Sequence, residues 1–218
     1  MKSETHLAEA LAQCRVDSTS WDPTYVVFLE RLQSLNIGAT APKVGDRFPD
    51  FALPNARGMR ITLSDLIADG PLVLSFNRGG WCPYCRLELA AWAGRLEELA
   101  AIGGRFVAVT GELGGRAEEM RQALDLDCEI LCDVDHGVAL ELGLAFYLGD
   151  QLRQMYLERG LDLSEVYGTD SWFLPIPATF VIDTAGIVRF VYADPDFRAR
   201  AEPGDVLAVV AAIAAARN

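Results

Sequence analysis

Cys82 and Cys85 enclose only Pro83 and Tyr84, and they follow directly on the apolar run Val73-Leu74-Ser75-Phe76 and the pair Gly79-Gly80. Two thiols one helical turn apart close into a small ring at little cost in loop entropy, so dithiol and disulfide can interconvert. The spacing is that of thiol redox chemistry. An apolar run without polar alternation predicts a central strand covered on both faces, and the two glycines predict a turn. Cys82 then falls near the first residue of a helix and Cys85 one turn further in, where unpaired backbone N–H groups and the positive end of the helix dipole favour a thiolate. Pro83 suits the first turn of such a helix. Trp81 and Tyr84 would shield the pair from bulk water. Arg78, from the loop, and Arg86, from the helix, are the cations within reach of a thiolate, and Arg78 is the preferred one.

The other thiols offer a rival reading. Cys128 and Cys132 could join Cys82 and Cys85 in a four-thiolate zinc site, but a Cys-x-x-x-Cys on a strand sets its two sulfurs far apart for one metal, and burial as small residues is the expected role. Cys14 reads as a helix-face residue, with a distant resolving role left open. His6 and His136 are the only histidines, and neither sits near the pair in sequence. No metal and no organic cofactor is implied.

The stretch Phe76-Asn77-Arg78-Gly79-Gly80-Trp81-Cys82-Pro83-Tyr84-Cys85 resembles the active-site signature of peroxiredoxin-like proteins of the alkyl hydroperoxide reductase/thiol-specific antioxidant (AhpC/TSA) family, within the thioredoxin-fold superfamily. The similarity runs from about Val44 to about Val210. The family's site reads Pro-x-x-x-Thr-x-x-Cys, which lays the peroxidatic cysteine on Cys85, the threonine on Cys82 and the proline on Arg78. The chain thus departs from the signature at two places and gains a thioredoxin-like pair. The resemblance implies an α/β, thioredoxin-like fold of the peroxiredoxin type, a central mixed sheet flanked by helices. It also implies that Pro177 lies against the active-site helix, where thioredoxin-fold proteins carry a cis proline, with Ile176 facing the sulfurs. The family's catalytic arginine is expected near this place, yet Leu174 to Thr179 contains none.

The 218 residues suit one core with additions, and 51% hydrophobic residues can fill it. A surplus of 31 acidic over 19 basic residues, net −12, repels phosphate backbones and anionic lipid heads, which argues against nucleic acid and membrane surfaces as partners. No segment has the length or apolarity of a membrane span, and Met1 to His6 leads into no secretory signal. Five cysteines in such a chain point to a reducing compartment, the cytoplasm by default.

Helices are predicted over Leu7 to Arg15 and Pro23 to Leu35, the second capped by Asp22, and a linker follows at Gly38 to Asp46. Residues 1–40 are read as a helical extension, lying on its own domain or on a second subunit, and 41–218 as the peroxiredoxin-type domain. Phe48 to Leu63 reads as a hairpin, with Ser64 capping a short helix. Leu89, Trp92, Leu96 and Leu99 form one apolar stripe on a helix ending at Gly103-Gly104. Strands are expected at Arg105 to Thr110 and Cys128 to Asp133, and a strand hairpin at Ala178 to Tyr192. A helical insertion is expected near 146–163, and Asp205 to Ala216 closes the chain as a helix.

The expected function is that of a thiol-dependent antioxidant oxidoreductase that reduces hydroperoxides through a Cys82/Cys85 dithiol–disulfide cycle. Its reductant would be a thioredoxin-like protein or a low-molecular-weight thiol, and a homodimer is allowed for. The alternatives are a thioredoxin-like protein disulfide oxidoreductase, with Cys82 attacking a small or protein disulfide, and a non-enzymatic redox-sensing or partner-binding module.

Overall fold

The structure, a computed structural model, describes residues 6–17, 22–113 and 115–217. The segment in which no secretory signal is expected, residues 1–5, and the side chain of the expected cap Asp22 lie outside the described residues. In chain order the elements are α1 (Leu7–Asp17), α2 (Asp22–Ser34), β1 (Ala52–Pro54), β2 (Arg60–Thr62), α3 (Leu63–Ile67), β3 (Leu72–Asn77), α4 (Pro83–Ala93) and α5 (Leu96–Ala101). They continue with β4 (Arg105–Thr110), α6 (Arg116–Ala123), β5 (Glu129–Cys132), α7 (Gly137–Glu141), β6 (Ala145–Tyr147) and α8 (Asp150–Glu158). The last are α9 (Leu163–Tyr167), β7 (Phe173–Pro175), β8 (Ala178–Ile182), β9 (Val188–Ala193) and α10 (Pro203–Arg217).

The central sheet has the order β5-β4-β3-β8-β9. It is mixed: β3, β4 and β5 run parallel, while β8 is antiparallel to both β3 and β9. Every residue of β3 is buried because the sheet is covered on both faces. Leu72, Leu74 and Phe76 enter one core with α1, α2, α3 and α8, whereas Val73 enters another with Leu89, Trp92, Leu99, Met120 and Val210. Trp92 stacks on Phe106 at 4.8 Å between ring centroids, anchoring α4 on β4.

Several boundaries differ from the sequence expectation for local physical reasons. The stripe from Leu89 to Leu99 is divided between α4 and α5, since Gly94, a poor helix former, ends α4. Thr62 rather than Ser64 caps α3, through a capping box with Asp65. The 146–163 insertion is not one helix: Gly149 (φ +93°) and Gly160 (φ +77°) break the helical path, and Phe146 pairs with Leu174 in a two-stranded sheet of β6 and β7. Only α8 and the start of α9 are helical there.

Helices α1 and α2 lie on the same chain's core, not apart from it. Leu7, Leu11, Phe28, Leu29 and Leu32 join the cluster that holds Leu74 and Phe76. The Ala8 amide donates to Glu202 at 2.6 Å, and Tyr25 meets Phe197 edge-on at 4.9 Å. Among the described residues no helix is long and apolar enough to cross a membrane.

Candidate active site

The strand β3 ends at Asn77, and the chain turns through Arg78-Gly79-Gly80 into α4. Gly79 takes φ +109°, and a Cβ there would collide with the Glu112 side chain at 2.4 Å, so the turn requires glycine. Cys82 is the residue that caps α4, its amide bonded to the Gly79 carbonyl at 3.1 Å, and Pro83 opens the helix. Cys85 follows in the first turn. Both sulfur-bearing residues are closed off from solvent, Cys82 at 1% and Cys85 at 0% exposure.

Two donors converge on Cys85 Sγ. The Arg78 amide reaches it at 3.4 Å and the Arg200 guanidinium at 3.3 Å. Arg200 is held in turn by Glu88, whose Oε2 accepts from Nε at 2.7 Å, and by the Phe197 and Ala199 carbonyls. The Ser75 hydroxyl donates to Glu88 Oε1 at 2.8 Å. Glu88 projects from α4 onto the face of β3 that bears Ser75, so strand, helix and the loop after β9 meet in one buried polar chain. Burial raises the Glu88 pKa, while the Arg200 guanidinium at 2.7 Å and the donated Ser75 hydroxyl favour its carboxylate form.

Arg78 is fully enclosed in a different way. Its guanidinium lies over the rings of Phe197 at 4.4 Å and Trp81 at 4.8 Å and donates to the Tyr156 hydroxyl at 3.1 Å. The Trp81 indole N–H donates to Tyr167, and the Tyr167 hydroxyl donates to the Arg78 carbonyl. Tyr84 stands edge-on to Phe197 at 5.6 Å.

The two thiols shift each other's ionisation in opposite directions. Burial alone would raise Cys82, but the Cys85 thiol and the Arg78 and Arg200 cations outweigh it and bring its pKa down to about 6. Burial and the neighbouring Cys82 thiolate push Cys85 well up. Loss of the first proton is thus favoured and loss of the second is suppressed. Hydrogen-bond donors gather on one sulfur while the electrostatic balance favours ionisation of the other.

The structure brings together four of the five residues singled out in the sequence: Cys82, Cys85, Arg78 and Trp81. Arg86 is exposed. Pro177 is buried beside β8, but the Ile176–Pro177 bond is trans, and the Ile176 amide is used by the Leu144 carbonyl at 2.9 Å rather than offered to the sulfurs. That expectation is corrected: the amide is taken up by Leu144, the residue before β6, as the chain leaves β7. Arg200, Glu88 and Ser75 were missed in sequence. A buried arginine in a loop of mixed charge, Asp194-Pro195-Asp196-Phe197-Arg198-Ala199-Arg200, carries no local signal distinguishing it from a solvated one. Cys128 and Cys132 lie at β5, Cys128 bordering a cavity of about 540 Å³ with Arg57 and Arg121, away from the pair. Among the described residues no group of three or more His, Cys, Asp or Glu is placed to hold a metal ion.

Residues 44–191 match the AhpC/TSA family. The chain belongs to that family. A crystal structure of the peroxidoxin BcpB from Mycobacterium tuberculosis superposes with a TM-score of 0.61 at 25% identity, covering 79% of this chain and 98% of that one. The peroxiredoxin 6 of Arenicola marina shares the fold, with a TM-score of 0.63 at 15% identity over 78% of this chain and 73% of that one. In sequence, a Mycobacterium tuberculosis protein provisionally named a peroxiredoxin is 28% identical over 102 residues, 47% of this chain and 66% of its own length. The chloroplastic peroxiredoxin Q of Oryza sativa is 22% identical over 76% of this chain and 65% of its own length. The two sequence matches span just under two thirds of those relatives' own lengths. This AhpC/TSA protein has the peroxiredoxin-type thioredoxin-like fold, and its Arg200 lies beyond the matched segment.

Proposed function

We propose that this AhpC/TSA protein is a thiol-dependent peroxidase with Cys85 as the attacking sulfur and Cys82 as its resolving partner. The observation that carries the reading is the convergence of the Arg78 amide and the Arg200 guanidinium on Cys85 Sγ. Such donors hold a thiolate and stabilise the charge that passes to the leaving oxygen in the transition state. The pair's negative charge passes to Cys85 as its proton moves to Cys82; the Cys85 thiolate attacks the terminal oxygen of a hydroperoxide, ROOH, breaking the O–O bond, RO− takes a proton from water and leaves as ROH, and Cys85 becomes a sulfenic acid. The Cys82 thiol then condenses with it, forming the disulfide and releasing water. An external thiol or a thioredoxin-like protein reduces the disulfide.

A second reading, thiol–disulfide exchange started by Cys82, is favoured by its lowered pKa. Complete burial of Cys82 opposes attack on a protein disulfide, whereas a peroxide is small enough for an enclosed site. Five cysteines, an odd number, suit a reducing compartment such as the cytoplasm. We retain 1–40 as an extension of the domain 41–218, a division supported by the family match beginning at residue 44. A homodimer draws no support from α1 and α2, since both are engaged on their own core.

Stopped-flow mixing of the reduced protein with hydrogen peroxide tests the assignment. Cys82→Ser is expected to react at the wild-type rate and to accumulate a dimedone-reactive sulfenic acid on Cys85. Labelling of Cys82 at that rate in Cys85→Ser would instead establish the second reading.

A further inference from the structure

The buried cations around the pair are not all met by a contacting anion while both sulfurs are neutral. Arg78 and Arg200 are both buried, at 1% and 8% exposure, and a guanidinium does not shed its charge in a protein. Glu88 answers Arg200. Among the described residues Arg78 meets no carboxylate: its contacts are the Tyr156 hydroxyl and the faces of Trp81 and Phe197, and its Nε has no hydrogen-bond partner. Among the described residues no other acidic group bonds its guanidinium. Glu112 bonds the Gly80 amide and neither guanidinium, and the phenols of Tyr25 and Tyr167 are held neutral by burial. One thiolate therefore completes the site, and a disulfide leaves a cation enclosed without a partner, which is unfavourable.

We infer that Arg78, by requiring a thiolate beside it, makes the Cys82–Cys85 disulfide a strong oxidant whose reductants include ordinary monothiols. This rests on the reading that the pair cycles between dithiol and disulfide. A thiolate RS− attacks Cys85 sulfur, forming a mixed disulfide and releasing Cys82 as the thiolate that Arg78 accepts. The lower-pKa sulfur is the better leaving group. A second thiol attacks the mixed disulfide at the R sulfur, releasing RSSR and Cys85, which takes up a proton. Two thiols give up two electrons to the pair, and the site ends as one thiol and one thiolate.

The test is equilibration of the whole chain in mixtures of reduced and oxidised glutathione, without peroxide, followed by alkylation and mass measurement. Arg78→Met is expected to shift the equilibrium at least tenfold toward the disulfide, about 30 mV for this two-electron couple. Arg78→Lys, which keeps the cation, should shift it less than tenfold. A smaller shift in Arg78→Met, or an equal one in Arg78→Lys, overturns the proposal. Should Arg78→Met fail to fold, the wild type decides alone: its oxidised form should unfold at a lower urea concentration than its reduced form, against the usual stabilisation by a disulfide. A more stable oxidised form overturns the proposal. Loss of peroxide turnover with these results intact would reject the peroxidase reading and leave this one standing.

Discussion

The two close pairs of cysteines in this chain, Cys82/Cys85 and Cys128/Cys132, have nearly the same spacing and opposite chemistry. Cys128 meets burial without a compensating cation near enough to overcome it, and its pKa is pushed up to about 12; Cys132 is raised for the same reason. Cys82 is buried at least as deeply, yet the Cys85 thiol, Arg78 and Arg200 bring it down to about 6. Cys128 and Cys132 are half-buried while Cys82 and Cys85 are fully buried, so shallower burial is not what lowers a thiol's pKa. What separates them is whether the fold buries positive charge with the sulfur.

The sharpest way to break this contrast is to remove each sulfur in turn. Cys85→Ser should lose peroxide reactivity by roughly a thousandfold or more, because the nucleophile and its donors act as a unit. Cys128→Ser with Cys132→Ser should leave the rate within about twofold, measured by the same stopped-flow trace. A large loss in the β5 double variant would mean that the active pair has been misplaced.

Charge removal comes next. Arg200→Met deletes one donor to Cys85 and should slow the peroxide reaction about 10²–10³-fold. Glu88→Gln leaves Arg200 buried without its anion and should destabilise the protein by about 3–5 kcal/mol in urea unfolding, whereas an exposed pair such as Arg95–Glu98 should cost under about 1 kcal/mol when broken. Equal effects at the two pairs would show that the Glu88–Arg200 site is wetter than its burial indicates.

The smallest effect is in the pH dependence. Cys82 is depressed from 9.0 to about 6 in the folded, reduced protein, so its ionisation contributes stability that is fully present above pH 9 and is lost as pH falls toward 6. Urea midpoints of the reduced protein should rise across that window with a slope of up to about 1.4 kcal/mol per pH unit, and Cys82→Ser should flatten it. His136 gives the same sign lower down. Burial holds it neutral to about 4, so stability should fall as pH drops from 6.5 through 4. A flat profile between 6 and 9 would remove the thiolate from Cys82.

Local pattern was enough to place the pair. An apolar run, two glycines and a proline after the first cysteine each act on their own neighbours, and the sequence reading of β3, the turn and α4 follows from them. The helix boundaries that differed, at Gly94, Gly149 and Gly160, turned on single residues whose conformational freedom overrode a longer apolar rhythm. Arg200 and Glu88 were illegible for another reason. Their roles come from tertiary approach, with Glu88 facing Ser75 across the strand–helix contact and Arg200 arriving from the loop after β9. Nothing within a few residues of either announces that it will be buried. The loop before β8 holds no arginine, and the guanidinium that reaches the sulfur comes from the other end of the β8–β9 hairpin.

Cys85 and Arg200 stand 115 residues apart. On a ribosome adding about 5–20 residues per second, roughly ten seconds separate the emergence of the thiols from that of the cation that holds them. Until β9 and its following loop dock, Cys85 lacks its guanidinium donor and Arg78 lacks the Phe197 ring beneath it. The nascent chain therefore carries two ordinary cysteines through the period when its neighbours are unfolded and most open to random crosslinking. The cation that reaches Cys85 arrives only with completion of the fold, so thiolate titration of the pair would report correct final assembly.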